Sequence, residues 1–332
     1  VFNRTKTIFL TALAMLAMAT GVNAATDIRI SKTPKNSTIM PLLYKTVELL
    51  PEFAAKEGIN DLQITLVEST NANTANDGLL LGRIDIVVGG INGFVPVFDK
   101  DPNKVRLISG WETFDNWLIC TDPSIKSIKD IKPEHKISVK GLNAGEHLAL
   151  RGYLAAELGP KETEKLNDNL VVLSRDDTFK LMVAEQPKIA CGLIGSPWQN
   201  NVVGMGKANI ISKPDGKKSF GFPNVVYSTK AWLDANPKLA NAFLNAQREA
   251  IKQYNANPKD AIETYIKNDK VDDVTVDAVI KMKKENNDVY DTTLKPALAT
   301  MKFMYDVGLF KGEAGAASVE TIVHDVKAVK VK

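Results

Sequence analysis

Cysteine and histidine are scarce in this 332-residue chain, with two of the first (Cys120, Cys191) and three of the second (His135, His147, His324). Two cysteines without a neighbouring histidine do not supply the ligand spacing of a zinc site. No Ser-His-Asp order stands out for nucleophilic catalysis, and no Gly-x-Gly-x-x-Gly follows a strand to hold a dinucleotide. A strong charge of either sign is also missing. The formal net charge is +3, which gives no support to a nucleic-acid or polybasic membrane function. Past residue 24 no apolar run is long enough to cross a bilayer. What remains is ordinary globular composition, 44% hydrophobic and 24% charged, in a length that suits two domains.

Residues 1–24 read VFNRTKTIFLTALAMLAMATGVNA. Arg4 and Lys6 precede a short apolar run, Ile8–Ala19, and Val22-Asn23-Ala24 offers small residues at −3 and −1. This is the pattern of a secretory signal peptide cut after Ala24. The run is short for a membrane anchor, and no cysteine follows to accept lipid. The segment holds no acidic residue, so its removal leaves 40 basic and 39 acidic residues, a balance of +1. The destination is outside the cytoplasm, an oxidising compartment in which Cys120 and Cys191 can form one disulfide if their strands are adjacent and in register. The alternative reading is two small buried hydrophobes inside strands.

The stretch Leu79–Phe94 (LLLGRIDIVVGGINGF) organises the chain. It reads as a helix tail, a turn at Gly82-Arg83, a buried strand Ile84–Val88 and then Gly89-Gly90. A continuous apolar run closed by glycines suits a parallel strand covered on both faces. Ligands in open α/β sheets bind beyond the carboxyl ends of such strands, which makes Gly90–Phe94 one wall of a cleft. Leu181–Trp198 repeats the design with strand Ile189–Ile194 and Gly195-Ser196-Pro197-Trp198 after it. Two such units imply two similar α/β lobes facing one crevice.

Taken in order, Asp27–Ser31 is a short alternating strand and Thr33–Asn36 a polar loop. Ser37 or Thr38 caps the following helix, which Pro51 interrupts. Leu62–Val67 is a strand, and the β-α-β-α-β order that follows implies a parallel sheet. An extended region, Val105–Thr121, crosses into a second unit with strand Lys136–Lys140, helix Ala144–Leu158, strand Leu170–Leu173 and helix Thr178–Ala184. The turn-rich Asp215–Asn224 is the return crossing, before strand Val225–Ser228. The last third is helical, with a stripe of Leu239, Ala242, Phe243, Ala246, Ala250 and Ile251. Trp111 and Trp117 are read as packing between lobes, and Val326–Lys332 as a frayed tail.

Strand-end loops supply the candidate ligand contacts: Thr33, Lys35 and Asn36 in the first, Asn92, Gly93 and Phe94 in the organising stretch, and Ser196 with Trp198 in its repeat. Gly141–Gly145 joins a strand to a helix start, where backbone N–H groups favour an anion. Asn143, Ala144 and Gly145 are therefore candidates. The same segment also reads as a capping box, with Asn143 as the cap and Glu146 three residues on. Arg175 and Asp176 either line the cleft or pair at the surface.

These segments, together with Ile125–Ile131 (IKSIKDI), Trp232–Pro258 (WLDANPKLANAFLNAQREAIKQYNANP) and Phe303–Phe310 (FMYDVGLF), resemble the periplasmic substrate-binding proteins of ABC importers. The branch is the one for aliphatic sulfonates, taurine and nitrate, also called NMT1/THI5-like. The match is collinear over nearly all of the chain after residue 24. The resemblance implies a type II periplasmic-binding-protein fold: two α/β lobes, a ligand cleft between them and two crossover segments. Lobe 1 would comprise 25–115 and 222–332, and lobe 2 residues 116–221. It implies capture of a small anion and delivery to a membrane permease by a monomer, with no cofactor, no metal, no nucleic acid and no catalysis. Two departures bear on the ligand. Gly195-Ser196-Pro197-Trp198 lacks the family's acidic residue, and the Lys35-Asn36 loop lacks the aromatic residue common in sulfonate binders. Aromatic carboxylates and pyrimidine or vitamin precursors stay open as ligands, as does an exported enzyme on the same fold. The superfamily's pyrimidine-synthesising enzymes carry a His- and Cys-rich motif that is missing here.

The N-terminus of the exported protein is expected at Ala25. Edman sequencing or intact-mass measurement of periplasmic material checks this, and a start upstream of Ile8 would contradict it.

Overall fold

Ile28 and Ile30 point to the same side of a short strand, and the whole first sheet is built on them. A computed structural model describes residues 26–142, 144–214, 221–271, 274–310 and 317–325. Its first part runs β1 (Thr26–Lys32), α1 (Met40–Lys56), β2 (Leu62–Glu68), α2 (Ala72–Leu80), β3 (Val87–Gly90), α3 (Ile91–Lys100) and β4 (Val105–Phe114). The middle part runs β5 (Leu118–Cys120), β6 (Ile137–Val139), α4 (Gly145–Leu158), β7 (Leu170–Val172), α5 (Arg175–Val183), β8 (Cys191–Gly192), α6 (Trp198–Gly204) and β9 (Asn209–Ser212). The chain closes with β10 (Phe222–Thr229), α7 (Lys230–Ala235), α8 (Pro237–Ala256), α9 (Lys259–Asp269), α10 (Val276–Glu285), α11 (Lys295–Asp306) and α12 (Val319–Ile322).

β1 pairs with β2 in parallel. On its other side it meets Ile86, just ahead of β3, through Ser31 N–H to the Ile86 carbonyl at 2.9 Å and Ile86 N–H to the Arg29 carbonyl at 3.1 Å. β10 then lies antiparallel between β3 and β4. The first sheet is therefore β2-β1-β3-β10-β4, parallel in its first three strands as the β-α-β-α-β order predicts. Its fourth strand arrives from the far end of the chain. The second sheet, β7-β6-β8-β5-β9, draws every strand from Leu118–Ser212. It has the same plan, with parallel β7, β6 and β8 beside the antiparallel β5.

Each sheet is covered on both faces. Ile28, Ile30 and Val226 pack with Leu42, Leu43, Phe243 and Ile262 of α1, α8 and α9. Val225 and Tyr227, which alternate with Val226, pack on the other side with Phe94, Phe98, Met301 and Met304. In the second sheet Ile137 and Val139 pack on Leu150, Tyr153 and Leu154, and Ile119 and Ile194 on Met182 and Val202. Trp111 and Trp117 are both buried among these clusters.

Three local expectations are corrected. Pro51 does not interrupt α1, which runs unbroken from Met40 to Lys56. Pro51 lies on the exposed side, and the buried residues Leu42, Leu43, Leu50 and Ala54 hold the helix straight through the one missing hydrogen bond. The start of α1 is capped by neither Ser37 nor Thr38. Asn36 Oδ1 accepts from the N–H groups of Thr38 (3.0 Å) and Ile39 (3.2 Å) instead. Gly93 and Phe94 leave the cleft wall because α3 begins directly after β3. Helical periodicity turns Phe94 back into the core, 5.2 Å from Phe98 and 5.7 Å from Tyr227 between ring centres.

Cys120 and Cys191 stand opposite each other on β5 and β8 and are joined as a disulfide across 71 residues. Closing a loop of that length constrains the unfolded chain. The paired change Cys120→Ser with Cys191→Ser is expected to lower stability by ~2–4 kcal/mol in urea titrations. An unchanged midpoint would show the bridge to be energetically idle.

Candidate functional site

Between the two sheets lies a cavity of about 530 Å³. Its walls follow the carboxyl ends of parallel strands: Thr33 and Lys35 after β1, Ser69 and Thr70 after β2, Gly89 and Gly90 at the end of β3, Lys140 and Gly141 after β6, and Gly195 and Ser196 after β8. In such sheets the following helix starts at the strand end, so helix N-termini gather at the same place. Thr38 and Ile39 precede α1, Ala72 and Asn73 open α2, Asn92 lies in the first turn of α3, Gly145 and Glu146 open α4, and Arg175 opens α5. All of them line the cavity. Neither α3 nor α4 has a side-chain cap at its N-terminus. Their first N–H groups have no intrahelical partner, and their dipoles place partial positive charge at the cavity.

The cations of the site differ in how they are already used. Lys35 has a left-handed backbone (φ 59°), its N–H donates to Asp269 Oδ2 at 2.7 Å, and its carbonyl accepts from Tyr265 Oη at 3.1 Å. Asp269 is itself buried and paired with Lys32 at 3.2 Å, so α9 pins this loop while the Lys35 side chain stays exposed. Tyr44, which donates to Asp269, has its phenol pushed up to about 12 by burial and that carboxylate. Arg175 donates to Glu146 Oε1 through Nη2 (2.6 Å) and Nε (3.1 Å), stacks 5.7 Å from the Trp198 ring, and is thereby largely neutralised. Lys140 lies near that pair on the cavity wall; partial desolvation there, and then repulsion from Arg175, lower its pKa.

The expectation that Glu146 closes a capping box with Asn143 is corrected. The N-cap of α4 is Ala144, and Glu146, 3% exposed, is spent on Arg175. Asn143 lies outside the described residues. Of the other sequence candidates, Thr33, Lys35, Asn36, Asn92, Ala144, Gly145, Ser196 and Trp198 line the cavity. Gly93 and Phe94 do not. Gly93 is buried in α3, its carbonyl accepting from Asn76 Nδ2 at 2.8 Å. Trp198 Nε1 donates to Asp176 Oδ1 at 2.8 Å, so Asp176 fixes the ring that covers one side.

Sequence reasoning missed Ser69–Asn73, Phe114, Asn116, Lys140, Phe222, Asn224 and Tyr227 as lining residues. The strand-end rule could have found the first group and Lys140. Phe222 carries no such signal. Its ring fills the space where a Cβ would stand on Gly90 or on Gly145, so both helix starts close over it only because those residues are glycines.

Behind Asn224 sits a buried charged cluster. Glu112 lies opposite Asn224 in the β4–β10 register and accepts from Asn224 Nδ2 through Oε2 at 3.1 Å. Lys283 Nζ is 3.8 Å from Glu112 Oε1 and 3.4 Å from Asp288 Oδ2, and donates to Tyr290 Oη. Glu112 has both Asp288 and Tyr290 as hydrogen-bonding neighbours, and Glu112 Oε1 and Asp288 Oδ1 are sealed from solvent. With one lysine for two carboxyls, a proton retained on the pair leaves the cluster neutral as a set. In keeping with this, burial and the neighbouring Asp288 hold the Glu112 carboxyl well above the usual range.

No protein-family model matches the chain, and no curated protein sequence matches it. Solved structures do. The periplasmic aliphatic sulphonate binding protein SsuA from Escherichia coli matches with a TM-score of 0.68 at 15% identity, over 90% of this chain and 98% of that one. The periplasmic sulfonate-binding protein SsuA from Methylobacillus flagellatus KT gives 0.66 at 17% identity, over 90% and 91%. The periplasmic nitrate-binding protein NrtA from Synechocystis PCC 6803 gives 0.59 at 16% identity, over 90% and 86%. At these identities the likeness establishes the fold, which is that of the periplasmic binding proteins.

The buried proton has a measurable consequence. An exposed glutamate releases its proton near pH 4.3, whereas folded Glu112 holds it to higher pH. Between those values the folded chain binds more protons than the unfolded one, so this contribution is complete below about pH 4.3 and is lost as pH rises through the folded value. Glu112→Gln has no such proton to lose. Relative to the wild type, its stability is expected to rise with pH above about 4.3, by up to about 1.4 kcal/mol per pH unit. Urea titrations from pH 4.5 to 8 read this directly, and parallel curves would show that no proton is held.

Proposed function

We propose that this chain is an exported solute-binding protein that captures a small organic anion between two lobes and presents it to an ABC permease in the inner membrane. The observation that carries the reading is the gathering of uncapped helix N-termini and the cations Lys35 and Lys140 on one cavity with walls from both sheets. Backbone N–H groups and helix dipoles bind anions without a dedicated counter-ion. Among the described lining residues there is no histidine or cysteine. The reading needs no bond-making step and no cofactor, only different ligand affinity in two states of the protein.

We take residues 25–115 with 222–332 as one lobe and 116–221 as the other, joined by the segments that lead into β5 and β10. A ligand touching Asn36, Asn92 and Asn224 on one side and Lys140 and Gly145 on the other gains its full contacts only when the lobes are together, so binding favours closure. The closed form is then what the permease meets, with the protein acting as a monomer in the periplasm. The fold shared with sulfonate- and nitrate-binding proteins supports this role. The volume favours an organic anion over one the size of nitrate, being that of ordinary small-molecule sites. Phe114, Phe222, Trp198 and Tyr227 add apolar wall, which suits an alkyl or aryl sulfonate and keeps an aromatic carboxylate as the second reading.

A thermal-shift series on the protein from Ala25 tests the class. Alkyl and aryl sulfonates and aromatic carboxylates are expected to raise the midpoint with concentration, by about 2.7 kcal/mol of added stability at ~100 times Kd. Lys140→Met is expected to weaken a binding anion about tenfold or more, and added salt to weaken it further. Stabilisation by neutral heterocycles alone, with no response to any anion, would contradict the reading.

A further inference from the structure

We propose that Glu112 fixes the side-chain amide of Asn224 with its carbonyl oxygen toward the cleft, so that the ligand is an anion that also carries an O–H or N–H donor. This rests on the reading of the cleft as an anion-binding site and adds to it the second group the ligand must bear.

The argument is an account of donors and acceptors. Asn224 is 5% exposed and lines the cavity at the centre of its floor, paired with Gly90 on one side and Glu112 on the other. Its Nδ2 donates to Glu112 Oε2 at 3.1 Å, and a longer contact of 3.5 Å reaches Thr38 Oγ1. The Thr38 hydroxyl has spent its own proton on Asn36 Oδ1 at 2.6 Å, so toward Asn224 it can only accept. Both amide hydrogens of Asn224 are therefore used. Its Oδ1 accepts from no described residue and is not among the side-chain oxygens sealed without a partner, which leaves it open to the cavity.

The opposite orientation is blocked. It would aim the Asn224 carbonyl at Glu112 Oε2. In the structure Oε2 accepts from Asn224 Nδ2, the donor that turning the amide would remove. Lys283 also faces Oε1, at 3.8 Å, and Tyr290 Oη, which accepts from Lys283, donates to the Thr38 carbonyl at 3.2 Å. The Glu112 side chain is fully buried and cannot turn away. Hydroxyls such as those of Thr33 and Ser37 rotate to suit a ligand, whereas the Asn224 carbonyl is held. A ligand group that excludes water from a fixed acceptor without donating to it is rejected, and this discriminates more sharply than fit in an apolar pocket. Asn36 has the opposite polarity. Its Oδ1 already accepts from Thr38 N–H, Thr38 Oγ1 and Ile39 N–H, so its Nδ2 is left to donate to the anion.

The test uses probes of equal charge and similar size, 2-hydroxyethanesulfonate, 1-propanesulfonate and 2-methoxyethanesulfonate. A larger pair, 4-hydroxybenzenesulfonate and 4-methylbenzenesulfonate, covers the size of the cavity. Calorimetric Kd values are measured on the wild-type protein and on Asn224→Leu and Glu112→Gln, each verified as folded by circular dichroism. The wild type is expected to bind the hydroxyl member of each set about tenfold tighter or better, with the methoxy probe grouping with the alkyl one. Asn224→Leu is expected to bring the ratio to about one. Glu112→Gln frees the amide to turn and is expected to shrink the ratio by at least about threefold, a change that general loosening of the fold would not produce.

Equal or tighter wild-type binding of the alkyl or aryl hydrocarbon members overturns the inference and leaves anion binding standing. An unchanged ratio in folded Glu112→Gln overturns the positioning role. If the folded wild type binds none of the sulfonates and no aromatic carboxylate, the anion reading fails and this inference fails with it.

Discussion

The starts of five helices, α1 to α5, point at one space, and most of the structure around the cleft answers to that fact. Aligned peptide dipoles leave partial positive charge and unpaired N–H groups at each start, and bringing several together is unfavourable unless something negative or polar lies among them. The protein provides part of the answer itself. Asn36 closes the start of α1, Asn71 that of α2 and Ser174 that of α5. Glu146 sits at the start of α4 but is tied to Arg175, which leaves little net charge there. The remainder, at α3 and α4, faces the cavity. Its wall thus carries partial positive charge from backbone that every residue type supplies.

The floor of the cleft carries a different kind of constraint. β10 enters from the far end of the chain and runs against its neighbours, which puts Asn224 between Gly90 and Glu112. Burying Glu112, Asp288 and Lys283 together is costly unless their charges and hydrogen bonds balance. Lys283 provides one positive charge for two carboxyls, and a shared proton provides the rest. A network satisfied in this way is rigid, because any rotation in it exposes an unpaired buried group. That rigidity passes through Asn224 and Thr38 to the wall of the cavity.

The two sheets are joined in two ways. Covalently they meet at the segments leading into β5 and β10. Non-covalently they meet around Phe222, whose ring fits against Gly90 and Gly145, and where Gln199 and Asn200 donate to Asn286 and Glu285. The likeness to periplasmic binding proteins over nine-tenths of the chain, at 15–17% identity, shows how little of this arrangement depends on particular side chains in the outer layers. Strand order, helix direction and a few small residues at the cleft are enough to retain it.

The sequence by itself determined the parts that rest on local periodicity. The apolar run at Ile84–Val88 closed by glycines, its counterpart at Ile189–Ile194, the helical stripe of α8 and the strand-end loops at Thr33–Asn36 and Gly195–Trp198 were all legible, because burial on both faces and helix starts leave residue patterns. Phe94 was misplaced because extended and helical backbone diverge by one residue, at Ile91, and only the packing on Phe98 and Tyr227 decides which applies. Pro51 was misread because a proline's local cost is offset by the apolar face of α1 packed on the helices over the sheet. The Glu112–Asn224 pair, the pairing of Glu146 with Arg175 and the cluster around Lys283 were decided by tertiary structure alone. Their partners lie 112, 29 and up to 171 positions apart, and hydrogen bonds between buried groups at such separations leave no periodicity in the chain.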